Sequence, residues 1–290
     1  MNQKEKIAIV EQLRLYVAHK GSQNKAAASL KGVSAAVVSH LLSGNWEPYS
    51  EDMFRKLGAQ IGYNSKEWQF APTTNANDLL ELLDDAKMNA LVVSVIGNAG
   101  VGKSQTTKKF ASENQNVIRI ECGQYWDRKF FLQEILSQLG DKNPSMRITE
   151  MMREIVMAFK KMQNPQLIID EVDKIDDKVL LFLITLYNEL KSHCSIIIVA
   201  THYLKKRFQD GIRLRKKGYE ELNSRFGRFY ELEATSYQDV KVLCEANGLN
   251  DESIIKIIAR NANGDLRAAS DSIIASRIDD KRKLLANERV

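Results

Sequence analysis

The sequence predicts an α/β fold with a parallel five-stranded sheet, flanked by an all-α N-terminal domain and a helical C-terminal segment. Three observations carry this prediction: short apolar runs, helical segments between them, and wholly helical patterns on either side. The runs that read as strands cover residues 90–96, 117–120, 167–169, 196–199 and 228–232. The first four runs are short and the middle ones are nearly all aliphatic, which is typical of strands buried on both faces of a parallel sheet. Strands that alternate with helices favour right-handed crossovers.

The residues before the sheet read as a series of short helices. Apolar residues recur at helical spacing over residues 4–19. Ser34 is placed to cap a helix that runs to about residue 43, and Ser50 to cap another. We therefore predict a helix-turn-helix domain over residues 1–63.

Domain boundaries follow from changes of pattern along the chain. Residues 64–78 contain Pro72 and no sustained period, so a linker is expected there. The strand signals stop near residue 232, and helices are predicted beyond it. The α/β core is assigned to residues 79–233, and a C-terminal helical lid with a charged tail to residues 234–290.

Composition and charge are those of an ordinary globular protein. Hydrophobic residues make up 44% of the chain, and no apolar run approaches the roughly 20 residues that cross a bilayer. No signal peptide is recognisable, so we expect a cytoplasmic protein with no membrane partner. The net charge of +5 favours an anionic partner such as nucleic acid. The spacing of Cys122, Cys194 and Cys244 predicts buried thiols rather than a zinc site or disulfides.

A glycine-rich phosphate-binding motif follows the first predicted strand. Its spacing is G-x-x-x-x-G-K-S, with a strand before it and a helix after it. Such a loop points backbone N–H groups at an anion, and the helix turns its positive end toward the β-phosphate. Lys103 is placed to contact the β- and γ-phosphates of ATP, and Ser104 to bind Mg²⁺. The predicted nucleotide contacts of this segment are Gly97, Asn98, Ala99, Gly100, Val101, Gly102, Lys103, Ser104 and Gln105.

A pair of acids follows the third predicted strand, where strand ends of such sheets face the ligand. Asp170 is suited to hold Mg²⁺ through water, and Glu171 to orient and deprotonate the attacking water. Asp173 lies where a helix is expected to begin, so we interpret it as structural. The alternative for the pair is a solvated acidic surface, which the phosphate-binding motif upstream disfavours.

Three further residues are placed to sense the γ-phosphate. Thr201 follows the fourth strand and is preferred to His202 for holding the attacking water. Arg225 is preferred to Arg228 as the arginine that reaches a neighbouring subunit's ATP, where its planar fork stabilises transition-state charge. The alternative for Arg225 is an ion pair within the chain. Arg267, on the first turn of a helix, is placed to reach the nucleotide of its own subunit, and a surface arginine is the alternative.

Together these residues resemble the AAA+ superfamily of P-loop ATPases, over about residues 79–280. The shared features are the phosphate-binding and acidic motifs, the polar residue after the fourth strand, S-R-F before the fifth strand, and G-D-L-R in the lid. Within that superfamily the layout is similar to transposition regulators of the phage Mu transposition protein B type, with TnsC and IstB as relatives. The resemblance implies ATP and Mg²⁺ as cofactors, a homo-oligomer (helical filament or ring) on double-stranded DNA, and control of a partner transposase.

Candidate DNA contacts lie in both predicted domains. The second helix of a helix-turn-helix unit enters the major groove, and here it is expected to expose Ser34, Ala35, Val38, Ser39 and His40. A protein-interaction module is the alternative, because none of these residues is an evident base reader. Two basic stretches of the ATPase are also candidates, with a solvated surface as the alternative. They contain Arg128 and Lys129, and Lys205, Lys206 and Arg207.

The sequence therefore favours an ATP-dependent DNA-binding regulator of transposition that captures target DNA and activates a transposase. A helicase loader or replication initiator is the second hypothesis, and a preference for single-stranded DNA would support it. A helix-turn-helix transcription regulator is the third hypothesis, and operator binding without ATP would support that one.

Overall fold

The computed structural model describes residues 3–61, 63, 68–140 and 146–287, with side chains up to residue 276 apart from those of residues 4 and 19. The chain divides into two compact units, residues 1–69 and residues 70–290. Each unit has its own hydrophobic core. Across the described residues, no helix combines the length and the apolar composition that a bilayer span requires.

The first unit is built from short helices, which are α1 (Gln3–Lys20), α2 (Gln23–Ala28), α3 (Ala35–Leu42) and α4 (Glu51–Gln60). Serine side chains cap three of them: Ser22 accepts from Lys25 N, Ser34 from Val37 N and Ser50 from Met53 N. Such caps satisfy backbone N–H groups that the first helical turn leaves unpaired. The helical character predicted for this part of the chain is therefore confirmed, and the helix-turn-helix assignment stays a prediction.

One residue of α3 is placed differently from the sequence expectation. Val38 is fully buried, together with Leu41 and Phe54, in the core of the first unit. The residues that α3 exposes are Ala36, Ser39 and His40. The expectation that Val38 faces outward was wrong, because burying its apolar surface stabilises this small helical core.

The second unit contains a parallel sheet with the strand order β2-β3-β4-β1-β5. Its strands are β1 (Val92–Ile96), β2 (Val117–Glu121), β3 (Gln166–Asp170), β4 (Ser195–Ala200) and β5 (Phe229–Glu231). Side chains of β3 alternate between the two faces, so that Leu167 and Ile169 join one apolar cluster and Ile168 the other. The predicted α/β class with a five-stranded parallel sheet is confirmed.

Helices cover both faces of this sheet. The helices of the α/β core are α5 (Thr74–Met88), α6 (Lys103–Glu113), α7 (Arg128–Gln138), α8 (Ile148–Lys160), α9 (Asp177–Leu180), α10 (Phe182–Leu190), α11 (Tyr203–Arg213) and α12 (Tyr219–Phe226). The C-terminal helices are α13 (Tyr237–Ala246), α14 (Glu252–Ala262) and α15 (Leu266–Asn287). The last helix continues through the charged tail that the sequence left unassigned.

The start of α5 lies inside the stretch that was predicted to be a linker. Thr73 caps this helix, and the Asn75 amide donates to Glu233 O at 2.9 Å and accepts from Glu233 N at 3.1 Å. Thr74 N donates to the buried carboxylate of Asp239 at 2.7 Å. Although burial raises the pKa of Asp239, the hydrogen bonds from Thr74 and Ser236 outweigh it and hold that pKa below its usual range. These contacts join the beginning of the core to the beginning of the lid.

Candidate nucleotide-binding site

The parallel register brings the carboxyl ends of the strands to one edge of the sheet. Ile96 is opposite Ala200 of β4 and Glu231 of β5, and Glu121 is opposite Asp170. The segments that follow these strands carry the phosphate-binding loop, the acidic pair and Thr201. Ligands of open α/β sheets bind outside this edge. The fold therefore brings the phosphate-binding loop, the acidic pair and Thr201 to the place where a ligand is expected.

The phosphate-binding loop connects β1 to α6 and depends on glycine at two positions. Gly100 has a φ of +78° and Gly102 a φ of +96°, a region that side-chain-bearing residues seldom adopt. A Cβ atom at Gly100 would also lie 2.0 Å from Asp265 Oδ1. Gly102 stands at the N-cap of α6, where the unpaired N–H groups and the helix dipole favour an anion.

Lys103 reaches back across this loop. Its Nζ donates to Gly97 O at 2.7 Å and to Asn98 O at 2.6 Å. Burial lowers the pKa of Lys103, and the negative charges of Asp170, Asp173 and Glu171 oppose that shift. The ammonium group is thus held in the loop and within electrostatic reach of the acids at the ends of the strands.

The lid meets the phosphate-binding loop at the start of α15. Leu266 N donates to Gly100 O at 2.9 Å, and Asp265 packs against Gly100. Arg267 is exposed, and its charge adds to the lowering of the Lys103 pKa. The structure therefore brings the start of α15, with Arg267, close to the predicted phosphate site.

Asp170 ends β3 and is only 1% exposed. Its Oδ2 accepts from Arg119 Nη2 at 2.6 Å, and its Oδ1 accepts from Glu171 N at 2.9 Å. Arg119 also donates through Nε to Thr107 Oγ1 at 3.0 Å and through Nη2 to Glu121 at 3.0 Å. Each carboxylate oxygen thus accepts a hydrogen bond, and the two bonds together orient the Asp170 side chain.

Glu171 adopts a left-handed backbone conformation with a φ of +56°. Few residues without special support adopt this conformation, which is often found at functional sites. Its carboxylate is partly exposed and forms an ion pair with Lys174, in the short 3₁₀ turn that follows. That contact raises the pKa of Lys174. The predicted base is therefore held by a neighbouring lysine in this structure.

Thr201 is tied to Asp173. The Thr201 hydroxyl donates to Asp173 Oδ2 at 2.5 Å, and its backbone N–H donates to the same oxygen at 3.2 Å. Asp173 thereby connects the end of β4 to the segment after β3, a role beyond the helix-start position expected from the sequence. His202 instead pairs with Glu231, at 3.1 Å between Nδ1 and Oε1.

Arg225 lies on α12 and makes contacts within its own chain. Its guanidinium is 2.9 Å from Glu221 Oε1, donates to Asn188 Oδ1 at 3.1 Å, and lies 5.3 Å from the centroid of the Tyr187 ring. The local ion pair, which was the alternative interpretation, is thus present in the single chain. Arg228 is exposed.

The basic residues proposed to contact DNA differ in how accessible they are. Arg128 and Lys129 begin α7 and are exposed, and the Arg128 guanidinium lies 5.6 Å from the centroid of the Phe182 ring. Lys206 is also exposed, whereas Lys205 Nζ lies 3.2 Å from Glu231 Oε2. In α3, Ser34 serves as a helix cap, Ser39 is exposed, and His40 Nδ1 lies 2.9 Å from the Tyr49 hydroxyl.

Arg207 is placed differently from the sequence expectation. Its guanidinium is 12% exposed, pairs with Asp177 at 2.6 Å and donates to Ile175 O at 2.7 Å. The Tyr219 hydroxyl donates to the same Asp177 oxygen at 2.6 Å. The guanidinium is largely buried while the Asp177 side chain is 42% exposed, and the hydrogen bonds among the three residues connect α9, α11 and α12. The placement argues against Arg207 as a DNA contact.

The residues at the strand edge fit a magnesium nucleotide. The loop offers N–H groups and an ammonium to the phosphates, while the Ser104 hydroxyl and, through water, the Asp170 carboxylate would provide the oxygen contacts that Mg²⁺ prefers. Sequence reasoning missed Arg119, Lys174 and Asp265. The signal for Arg119 was a charged residue between aliphatic neighbours at the centre of β2.

Comparison with known proteins agrees with this class of fold. The family model described as an AAA domain matches residues 85–208. Together with the sheet order and the phosphate-binding loop, this match confirms the fold of a P-loop ATPase domain of the AAA type.

The curated relatives indicate a narrower class of protein than the domain match does. The chain is 25% identical over 236 residues to the Mu-like prophage FluMu DNA transposition protein B of Haemophilus influenzae, with 78% of this chain and 81% of that protein covered. It is 22% identical over 273 residues to the ATP-dependent target DNA activator B of Escherichia phage D108, with 90% and 85% covered, and equally to that of Escherichia phage Mu. The predicted resemblance to the Mu transposition protein B type is confirmed.

Solved structures are similar in outline only. A mutant of Thermotoga maritima RuvB shares 20% identity with a TM-score of 0.47, with 75% of this chain and 65% of that chain covered. The Drosophila ORC structure bound to DNA shares 15% identity with a TM-score of 0.46, with 72% and 55% covered.

Proposed function

We propose that this protein is an ATP-dependent DNA-binding regulator of transposition, which captures target DNA and activates a transposase. The main support is the phosphate-binding loop facing Asp170 and Glu171. The chain is also similar over most of its length to proteins named DNA transposition protein B and ATP-dependent target DNA activator B. ATP is the proposed nucleotide and Mg²⁺ the metal ion, with Ser104 and Asp170 as its protein contacts.

Hydrolysis is assigned to Glu171. A carboxylate at the end of β3 can orient and deprotonate a water molecule aimed at the terminal phosphate. In the single chain this carboxylate is paired with Lys174, so that pair has to open before Glu171 acts as a base. Thr201, held by Asp173, is proposed to position the same water. When bound, Mg²⁺ contributes charge neutralisation at the phosphate oxygens.

A homo-oligomer, as a helical filament or a ring, is proposed to complete the site. Arg225 would exchange its contact with Glu221 for the γ-phosphate of a neighbouring subunit. Arg267, which is exposed near Lys103, would read the nucleotide of its own subunit. Contacts to the γ-phosphate give ATP and ADP different affinities for the assembled state, which a nucleotide switch requires.

Mixing two inactive variants tests whether Arg225 acts across a subunit interface. Lys103→Ala and Arg225→Ala should each lack ATPase activity on DNA. At equal ratio, about one quarter of head-to-tail interfaces would pair an intact site with an intact arginine, so activity should reappear. Failure to recover activity at any ratio would contradict the assignment. Arg228→Ala is the matched control and should stay active by itself.

The start of α7 is proposed as a DNA contact. Arg128 and Lys129 are exposed cations at the amino end of a helix, where the helix dipole disfavours positive charge. Removing them should therefore cost little stability. A phosphate partner would stabilise both charges, and this favours an anionic ligand at the site.

The double variant Arg128→Ala with Lys129→Ala should weaken duplex binding and shallow its salt dependence. Two fewer phosphate contacts should make the negative slope of log affinity against log salt shallower by about 2. Fluorescence anisotropy of a labelled duplex over a range of salt concentrations measures this slope. The control is Lys160→Ala with Lys161→Ala, which removes the same charge from exposed positions elsewhere in this unit. Equal slopes in both double variants would exclude the start of α7.

Nucleotide-dependent DNA binding tests the proposed function as a whole. With a slowly hydrolysed ATP analogue, the protein should bind labelled duplexes of unrelated sequence with similar affinity, and bind them weakly with ADP. Tighter binding to single strands would favour a helicase loader instead. Binding to one duplex sequence without nucleotide would favour a transcription regulator. Stimulation of a cognate transposase on the bound duplex tests the partner.

A further inference from the structure

A hydrogen-bonded chain connects the two proposed magnesium contacts through Arg119. The Thr107 hydroxyl donates to Ser104 O at 3.1 Å within α6, and Arg119 Nε donates to Thr107 Oγ1 at 3.0 Å. Arg119 Nη2 then lies 2.6 Å from Asp170 Oδ2. One guanidinium therefore spans from the helix of the phosphate-binding loop to the acid at the end of β3.

The ion pair between Arg119 and Asp170 is largely buried. The side chain of Arg119 is 13% exposed and that of Asp170 is 1% exposed. A buried carboxylate without a countercharge is strongly destabilised, and so is a buried guanidinium. Glu121 shares the same guanidinium at 3.0 Å but is itself about half exposed. Arg119 is thus the cation in direct contact with Asp170 among the described residues.

We propose that Arg119 is a positioning residue that orients the Asp170 carboxylate and sets how strongly this site attracts Mg²⁺. The inference rests on the proposed function, because it assumes a magnesium nucleotide in the loop. Arg119 neutralises Asp170 before the metal arrives and fixes the direction of its oxygens. Since the guanidinium and Mg²⁺ draw on the same carboxylate, the arginine tempers the attraction of the site for the metal ion.

The Arg119→Met variant separates this role from a merely structural one. Without metal or nucleotide, its melting temperature should fall by several degrees, because Asp170 loses its partner. The Mg²⁺ concentration that half-saturates binding of a fluorescent non-hydrolysable ATP analogue should fall at least threefold, because a repelling cation is gone. Its turnover should fall at the same time, because Asp170 is no longer oriented. A merely structural role predicts a higher Mg²⁺ requirement instead.

Arg119→Lys keeps the charge and loses the fork that reaches Thr107. It should melt below the wild type, yet it should need the same Mg²⁺ concentration for half-saturation. This variant keeps the test decisive if Arg119→Met does not fold. The inference would be overturned if the half-saturating Mg²⁺ concentration of Arg119→Lys fell threefold or more. It would also be overturned if a folded Arg119→Met needed as much Mg²⁺ as the wild type. Absence of Mg²⁺-dependent binding in the wild type would instead overturn the proposed function.

Discussion

Lys103→Ala should lower the affinity for ATP by roughly 10- to 100-fold, because hydrogen bonds to charged groups contribute about 1.5–3 kcal/mol. Lys103 Nζ already lies among the loop carbonyls of Gly97 and Asn98, so little reorganisation separates it from a phosphate. Titration of a fluorescent ATP analogue with Mg²⁺ measures the loss directly. DNA binding should then no longer respond to ATP.

The control for this variant lies on the same helix. Lys108 is exposed on α6, and Lys108→Ala removes the same charge without touching the loop. It should bind ATP as the wild type does. Because burial holds the pKa of Lys103 below its usual range, the charged form is lost at a lower pH than in an ordinary lysine. ATP affinity should therefore begin to fall on the alkaline side at a lower pH than an ordinary lysine would give. Equal affinities in the two alanine variants would contradict the assignment of Lys103.

Glu171→Gln should keep ATP bound while hydrolysis falls by about 10²- to 10⁴-fold, the usual contribution of a general base. The amide keeps the shape of the side chain, and the left-handed backbone at Glu171 is unchanged by it. Phosphate release on DNA measures turnover, and analogue binding measures the retained affinity. Protein–DNA complexes formed with ATP should persist for far longer than those of the wild type.

Glu189→Gln is the matched control, because it makes the same chemical change at an exposed position on α10. Its turnover should equal that of the wild type. Loss of ATP binding in Glu171→Gln, or hydrolysis at the normal rate, would argue against Glu171 as the base. Because Glu171 is paired with Lys174 in the single chain, we also expect the protein to hydrolyse ATP slowly before it assembles on DNA.

The phosphate-binding loop was predictable because its chemistry is local. A loop that turns back at Gly100 and Gly102 needs glycine, and Lys103 at the start of a helix needs no distant partner. The edge where Asp170 and Thr201 meet followed from the rule for parallel sheets. Short apolar runs located the strands, and they identified the interior of a strand better than its ends.

Contacts between segments far apart in the sequence were not predictable. Arg119 is separated from Asp170 by 51 positions, and only the register of β2 against β3 brings the two together. Arg207 read as part of a basic surface, and tertiary packing places it beside Asp177 instead. The early start of α5 depends on Asp239, which is 165 positions from Thr74. The pattern of residues along the chain does not indicate which distant residues will contact each other.

Electron microscopy of the wild-type protein with duplex DNA tests the central claim most directly, namely that a nucleotide in the phosphate-binding loop controls assembly on DNA. With a slowly hydrolysed ATP analogue and Mg²⁺, the protein should form ordered assemblies along the duplex. With ADP or without nucleotide, the duplex should stay largely bare. Identical images under all three conditions would contradict the account.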